Sequence, residues 1–112
     1  MYKWLMARAA TTSDPFNAIA EPRRRHILEF LAGEERSVGD IADELELNQP
    51  SVSKHLHVLL DVGLVSARRE GKRTMYRTNP KPLQGVHEWC GRFARYWRGQ
   101  LGRIKTHAEG KS

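Results

Sequence analysis

Ile41-Ala-Asp-Glu-Leu-Glu-Leu-Asn-Gln-Pro-Ser-Val-Ser-Lys-His-Leu56 reads as two short helices joined by a tight turn. Ile41, Leu45, Leu47, Val52, Leu56 and Leu59 recur at helical spacing, so each helix has one buried side. Ala42 is small, which permits a close crossing of the pair. Asn48 suits the cap of the second helix, and Pro50 suits its first turn, where a missing N–H costs nothing. The outward side of that helix is Gln49, Ser51, Ser53, Lys54 and His57, with His55 near its edge. None of these is acidic, and all donate hydrogen bonds or carry positive charge. A short polar-to-basic helix presented by a compact pair is what a DNA major groove accepts. Glutamine pairs bidentately with adenine and serine serves several bases, so Gln49, Ser51 and Ser53 are the expected base readers. Lys54, His55 and His57 are placed for phosphates.

The flanks have their own punctuation. Ser37 and Asp40 form a near capping box at the start of the first helix, and Gly63 closes the second. Residues 64–78 alternate as a β-hairpin, with Glu70-Gly71 as its turn. The tip is cationic: Arg68, Arg69, Lys72 and Arg73 surround one acid, Glu70. Beside a recognition helix, such a tip can follow the phosphate backbone or enter a minor groove. Upstream, Ser13 or Asp14 can cap a helix bearing Phe16, Ile19 and Ala20. Glu21-Pro22 opens another with Ile27, Leu28, Phe30 and Leu31, ended by Gly33. Residues 83–107 predict one long helix. Its stripe is Leu83, Val86, Cys90, Phe93, Trp97, Leu101 and Ile104, a seam too long for so small a domain to cover alone. Residues 1–10 predict a short helix whose Trp4 and Leu5 join that seam.

Composition agrees. A chain of 112 residues is one domain by length, with Lys+Arg outnumbering Asp+Glu by 19 to 13 for a net charge of +6. That balance favours a polyanionic partner. The single cysteine, Cys90, excludes an internal disulfide and any cysteine-built zinc cluster. No apolar run reaches the length of a membrane span, and the N-terminus lacks the apolar core of a signal peptide. The expected location is the cytoplasm.

Residues 14–80 resemble the ArsR-type family of bacterial winged-helix repressors. The resemblance is carried by Asp14-Pro-Phe-Asn-Ala-Ile-Ala20, Glu21-Pro-Arg-Arg-Arg-His-Ile-Leu28 and Ser37-Val-Gly-Asp-Ile-Ala42. It continues through Asn48-Gln-Pro-Ser-Val-Ser-Lys-His-Leu56, Leu59-Leu-Asp-Val-Gly-Leu-Val65, Arg69-Glu-Gly-Lys-Arg73 and Tyr76-Arg77. It implies a homodimer paired through its first and last helices and bound to an operator. Two positions depart from the pattern. Glu46 stands where the turn usually has glycine, and Glu21 where aspartate is usual.

The metal-sensing sets of that family are missing. Many relatives place Cys-x-Cys in the helix before the recognition helix, whereas here it reads Val38-Gly-Asp-Ile-Ala-Asp-Glu-Leu45. Others use Asp-x-His and a later histidine in the last helix. Here the pair is Gly85-x-His87 and the later position is Arg98, which ligates no metal. His87 and His107 are too far apart on one helix to share an ion, and a lone cysteine on an apolar seam is usually packing. No metal or cofactor is therefore expected. Catalysis is not expected either. Ser53, His57 and Asp61 form a row on one exposed helix face, with no pocket or oxyanion hole for a triad.

The expectation is a mainly α fold with a small β-hairpin, a winged helix–turn–helix spanning 1–112. Within it, 37–61 is the helix–turn–helix, 64–78 the wing, and 1–20 with 81–108 the dimerisation helices. The partners are double-stranded DNA and a second copy, with no membrane. The expected function is a dimeric repressor on an inverted repeat. The alternative is a winged-helix module that binds protein or RNA.

Overall fold

The computed structural model describes residues 14–99. Within them α1 (Pro15–Ala18) is a single turn, capped by the Asp14 carboxylate, which accepts from the Phe16 N–H at 2.7 Å. The next helix, α2 (Pro22–Phe30), starts at its proline with the Glu21 side chain accepting from the Arg24 N–H. Arginines of α2 then reach back over α1. Arg24 Nε donates to the Ala18 carbonyl at 2.6 Å and Arg25 Nη1 to the Ile19 carbonyl at 2.7 Å. These bonds satisfy carbonyls that the end of a helix leaves without partners. Helix α2 ends at Phe30, ahead of Gly33.

A two-residue strand follows, β1 (Arg36–Ser37), which alternation was too short to reveal. Helix α3 (Val38–Leu45) opens on a complete capping box. Ser37 Oγ accepts from the Asp40 N–H, and the Asp40 carboxylate accepts from the Ser37 N–H, both at 3.2 Å. It ends at Glu46, whose backbone is left-handed at φ 56° and ψ 43°. The missing turn glycine thus has a structural consequence, because a side chain is disfavoured in that region. Helix α4 (Gln49–Asp61) is capped by Asn48, whose Oδ1 accepts from the Ser51 N–H at 2.9 Å. Gly63 follows at φ 75°.

The wing is β2 (Val65–Glu70) and β3 (Arg73–Thr78). Glu70 pairs with Arg73, so the turn residues are Gly71 and Lys72, one position later than alternation predicted. Gly71 takes φ 62°, a conformation that glycine adopts at no steric cost. The sheet is three-stranded and antiparallel in the order β1-β3-β2, and so larger than the expected hairpin. The short β1 anchors the wing to the start of α3 through Arg36 opposite Tyr76 and Ser37 opposite Met75.

One core holds these parts. Ile27, Leu31, Ile41, Val52, Leu56, Leu59 and Leu64 are buried, with Ala18, Leu28, Ala42 and Val65. Leu45 and Leu47 pack at its margin. The end of β3 is sewn to the helices, with Thr78 Oγ1 donating to the Leu28 carbonyl at 2.8 Å.

The last region corrects an expectation. Helix α5 (Leu83–Gly91) does not run on unbroken. At Arg92 and Phe93 the N–H groups reach back three residues, to the Trp89 and Cys90 carbonyls, and helix resumes over 94–99. Gly91 sits at the break, where glycine's low helix propensity favours an interruption. The predicted stripe therefore divides. Leu83 packs at the margin of the core and Val86 and Cys90 are half-buried, while Phe93 and Trp97 are exposed. Trp4, Leu5, Leu101 and Ile104 lie outside the described residues.

Candidate nucleic-acid interface

Helix α4 turns Val52, Leu56 and Leu59 into the core, which leaves the opposite side outward. Gln49, Ser53, Lys54 and His57 are exposed there, and Ser51 is half-exposed at the first turn. The Gln49 amide lies over the first turn of α3. A Cβ added at Gly39 would sit 3.7 Å from Gln49 Nε2, so the absence of a side chain leaves room for that amide. His57 pairs with Asp61 at 3.6 Å along the helix, so its ring shares the outward side with an acid.

His55 is placed differently from its neighbours. Its side chain is 18% exposed and its Nδ1 stands 3.8 Å from the Glu21 carboxylate at the start of α2. Burial holds its imidazole below the usual histidine range. Glu21 opposes that shift, while Arg24 and Arg23 reinforce it. A mostly covered ring with a lowered proton affinity suits packing between α4 and α2 better than a phosphate contact.

The wing cations also separate. Arg69, Lys72 and Arg73 are exposed near the tip. Arg73 Nη2 stands 3.6 Å from Asp40. Arg68, lower on β2, is engaged by two carboxylates, Glu35 at 2.7 Å and Glu70 at 3.0 Å. Between the wing and α3 lies a shallow groove of about 350 Å³ lined by Ser37, Val38, Gly39, Lys72, Arg73 and Thr74, with Tyr76 at its back. Gly39 belongs to this groove and to the Gln49 contact, so the outward end of α4 and the basic wing form one continuous surface. The Ser37 backbone N–H, first, and then the Ser37 side chain hydrogen-bond the Asp40 carboxylate and, with the nearby Arg73 and Arg36 charges, hold it below the usual range.

The helical stripe anticipated Phe93 and Trp97 on a second surface but not Phe16, Trp89 and Tyr96. Trp89, off the predicted stripe, packs edge-on against Phe16 of α1 with ring centroids 5.8 Å apart, and against Phe93 at 5.1 Å. Phe93 in turn approaches Tyr96 at 6.5 Å. Phe16, Trp89, Phe93, Tyr96 and Trp97 are 38–58% exposed. Together these rings form a contiguous aromatic patch open to water. Phe16 and Trp89 lie at positions that helical spacing along one segment does not connect.

Among the described residues no three His, Cys, Asp or Glu side chains converge as a metal site. No helix among them is long and apolar enough to cross a membrane.

Residues 21–67 match the family described as bacterial regulatory protein, arsR family. The transcriptional repressor SdpR of Bacillus subtilis is 37% identical over 78 residues, covering 70% of this chain and 87% of the relative. An ArsR-like transcriptional regulator from Rhodococcus superposes with a TM-score of 0.68 at 27% identity, over 95% of this chain and 96% of that one. A homodimeric winged helix–turn–helix DNA-binding domain from Mycobacterium bovis, a possible ArsR-family regulator, gives 0.60 at 33% identity over 83% of each chain. With the matching fold, the outward α4 and the basic wing, these likenesses show that the chain belongs to the ArsR family of DNA-binding transcriptional regulators.

Proposed function

We propose that this protein is a homodimeric repressor that binds an inverted-repeat operator in duplex DNA. The observation that carries the reading is the continuous surface from Gln49 and Ser53 on α4, across Gly39, to Lys72 and Arg73 on the wing. Gln49, Ser51 and Ser53 read base edges, while Lys54 and His57 contact phosphates beside them. Arg69, Lys72 and Arg73 follow the flanking backbone. The aromatic surface of Phe16, Trp89, Phe93 and Trp97 joins two copies, together with Leu83, Val86 and Cys90 at its edge. The homodimeric Mycobacterium domain supports that assembly. A dyad then sets the two α4 helices in successive major grooves, and occupancy of the operator excludes polymerase from the promoter. The protein acts in the cytoplasm, where its DNA is.

The test is selection of duplexes from random sequence, followed by titration. Selected sites should be inverted repeats with half-sites one helical turn, or a multiple of it, apart. Gln49→Ala or Ser53→Ala should cost about 1–3 kcal/mol on the selected site and little on random DNA. Equal losses on both would remove these residues as base readers. Tight binding to a protein or to RNA, with no duplex selected, would favour the alternative module.

A further inference from the structure

The wing is held to the body by little backbone. Strand β1 is two residues long, and its last pairing with β3 is Ser37 to Met75. Beyond it, residues 69–74 have only the hairpin's own pairings. Arg68 lies on β2, the outer strand of the β1-β3-β2 sheet. Glu35 immediately precedes β1, at the opposite edge. The Arg68 side chain must therefore cross the face of β3 to meet Glu35, the two side chains together bridging two strand spacings, about 10 Å. It does so with both ends of its fork engaged. Arg68 Nε donates to Glu35 Oε2 and Nη2 donates to Oε1, each at 2.7 Å. Bidentate pairing of this kind fixes orientation as well as distance. Glu35 is the more sheltered partner, 28% exposed against 54% for Arg68. The guanidinium holds the Glu35 carboxyl below its usual range, so the pair is ionised at neutral pH.

We propose that Glu35 and Arg68 form a strap that sets the angle of the wing against the helix–turn–helix, so that Glu35, an acid, promotes DNA binding. Arg68 is then a positioning residue and not a phosphate ligand, unlike its neighbours Arg69, Lys72 and Arg73. The proposal rests on the DNA-binding reading above. Charge alone requires the opposite sign. Removing an acid from a protein that binds a polyanion reduces repulsion and tightens the complex.

The experiment uses the full chain, a duplex selected from random sequence by the unmodified protein, and the variants Glu35→Gln, Arg68→Gln and both together. Affinity is measured per active protein across a range of salt. Glu35→Gln should bind about two- to fivefold more weakly, the scale of an exposed ion pair. Its salt slope should stay unchanged, since no phosphate contact is lost. In the Arg68→Gln background the same change should no longer weaken binding. A parallel arm reads the free protein: amide exchange over 69–75 should quicken in Glu35→Gln while α3 and α4 keep their protection. Affinity equal to or tighter than that of the unmodified protein overturns the strap, and so does unchanged exchange over 69–75. If no duplex is selected at all, the DNA-binding reading falls, and the exchange arm still decides whether Glu35 holds the wing.

Discussion

The Arg73 guanidinium stands 3.6 Å from the Asp40 carboxylate, and that carboxylate also closes the capping box of α3. One acid thus orders the first turn of the helix–turn–helix and draws the wing cation toward the groove between them. Both partners are well exposed, so the pair itself adds little stability. On the proposed DNA-binding reading, the pair aims a cation at the DNA flank. Arg73→Ala is expected to weaken binding to all duplexes alike and to lower the salt slope by about 0.9 for one lost phosphate contact. Titrations of a selected and a random duplex across salt provide the check. A loss confined to the selected site would make Arg73 a base reader instead.

Truncating the aromatic surface should dissociate the proposed dimer. Replacing a fully buried tryptophan by alanine costs about 3–5 kcal/mol, and Trp89 and Trp97 are half-exposed in the single chain. Trp89→Ala and Trp97→Ala should each shift sedimentation at micromolar concentration toward monomer. A stable monomer of the unmodified protein would refute the dimer altogether.

Glu46 carries a side chain where the backbone is left-handed. The conformation costs about 1–2 kcal/mol for a residue with a Cβ, and glycine returns part of that as unfolded-state entropy. Glu46→Gly should therefore raise stability by about 0.5–1 kcal/mol in urea unfolding. No gain, or a loss, would show that the strain is already relieved by contacts of the side chain.

His55 gives stability a pH dependence of known sign. Its proton affinity in the folded protein lies below the unfolded value of 6.5, chiefly through burial. The neutral ring is thus favoured by folding. Its contribution is complete above pH 6.5 and declines as pH falls below that value. Unfolding free energies measured from pH 7.5 down to pH 5.5 should fall less steeply in His55→Gln than in the unmodified protein. Parallel curves would remove His55 from the account.

DNA binding should be indifferent to zinc and to chelators, because affinity for a metal depends on ligand number and geometry. His87 is exposed and Cys90 half-buried on α5, without converging partners among the described residues. Zinc titrated into the protein–operator complex is the measurement. Release of DNA at near-stoichiometric zinc, abolished by His87→Ala, would reveal a site assembled between subunits.

Where local rules decide, residue order was enough. Capping by Ser37, Asp40 and Asn48, proline entry at Pro22 and Pro50, and the periodic core of Ile41, Val52, Leu56 and Leu59 are short-range events. They place α3 and α4 and leave the outward side of α4 legible before any fold is known. The resemblance also flagged Glu46 as an acid in place of a turn glycine, the position whose backbone is left-handed.

Tertiary structure decided what depends on residues distant in the chain. Strand β1 has two residues and exists only because β3 pairs with it. Periodicity put His55 beside its neighbours, but Glu21 and the start of α2 cover its ring. A run of four wing cations looked uniform until Glu35, 33 positions away, engaged one of them. Trp89 fell off the stripe that spacing predicted and met Phe16 across the fold. Helical and strand periods report which side of one element is apolar. They carry no record of which other element arrives to cover it, and that choice pairs Arg68 with Glu35, covers the His55 ring and sets Trp89 against Phe16.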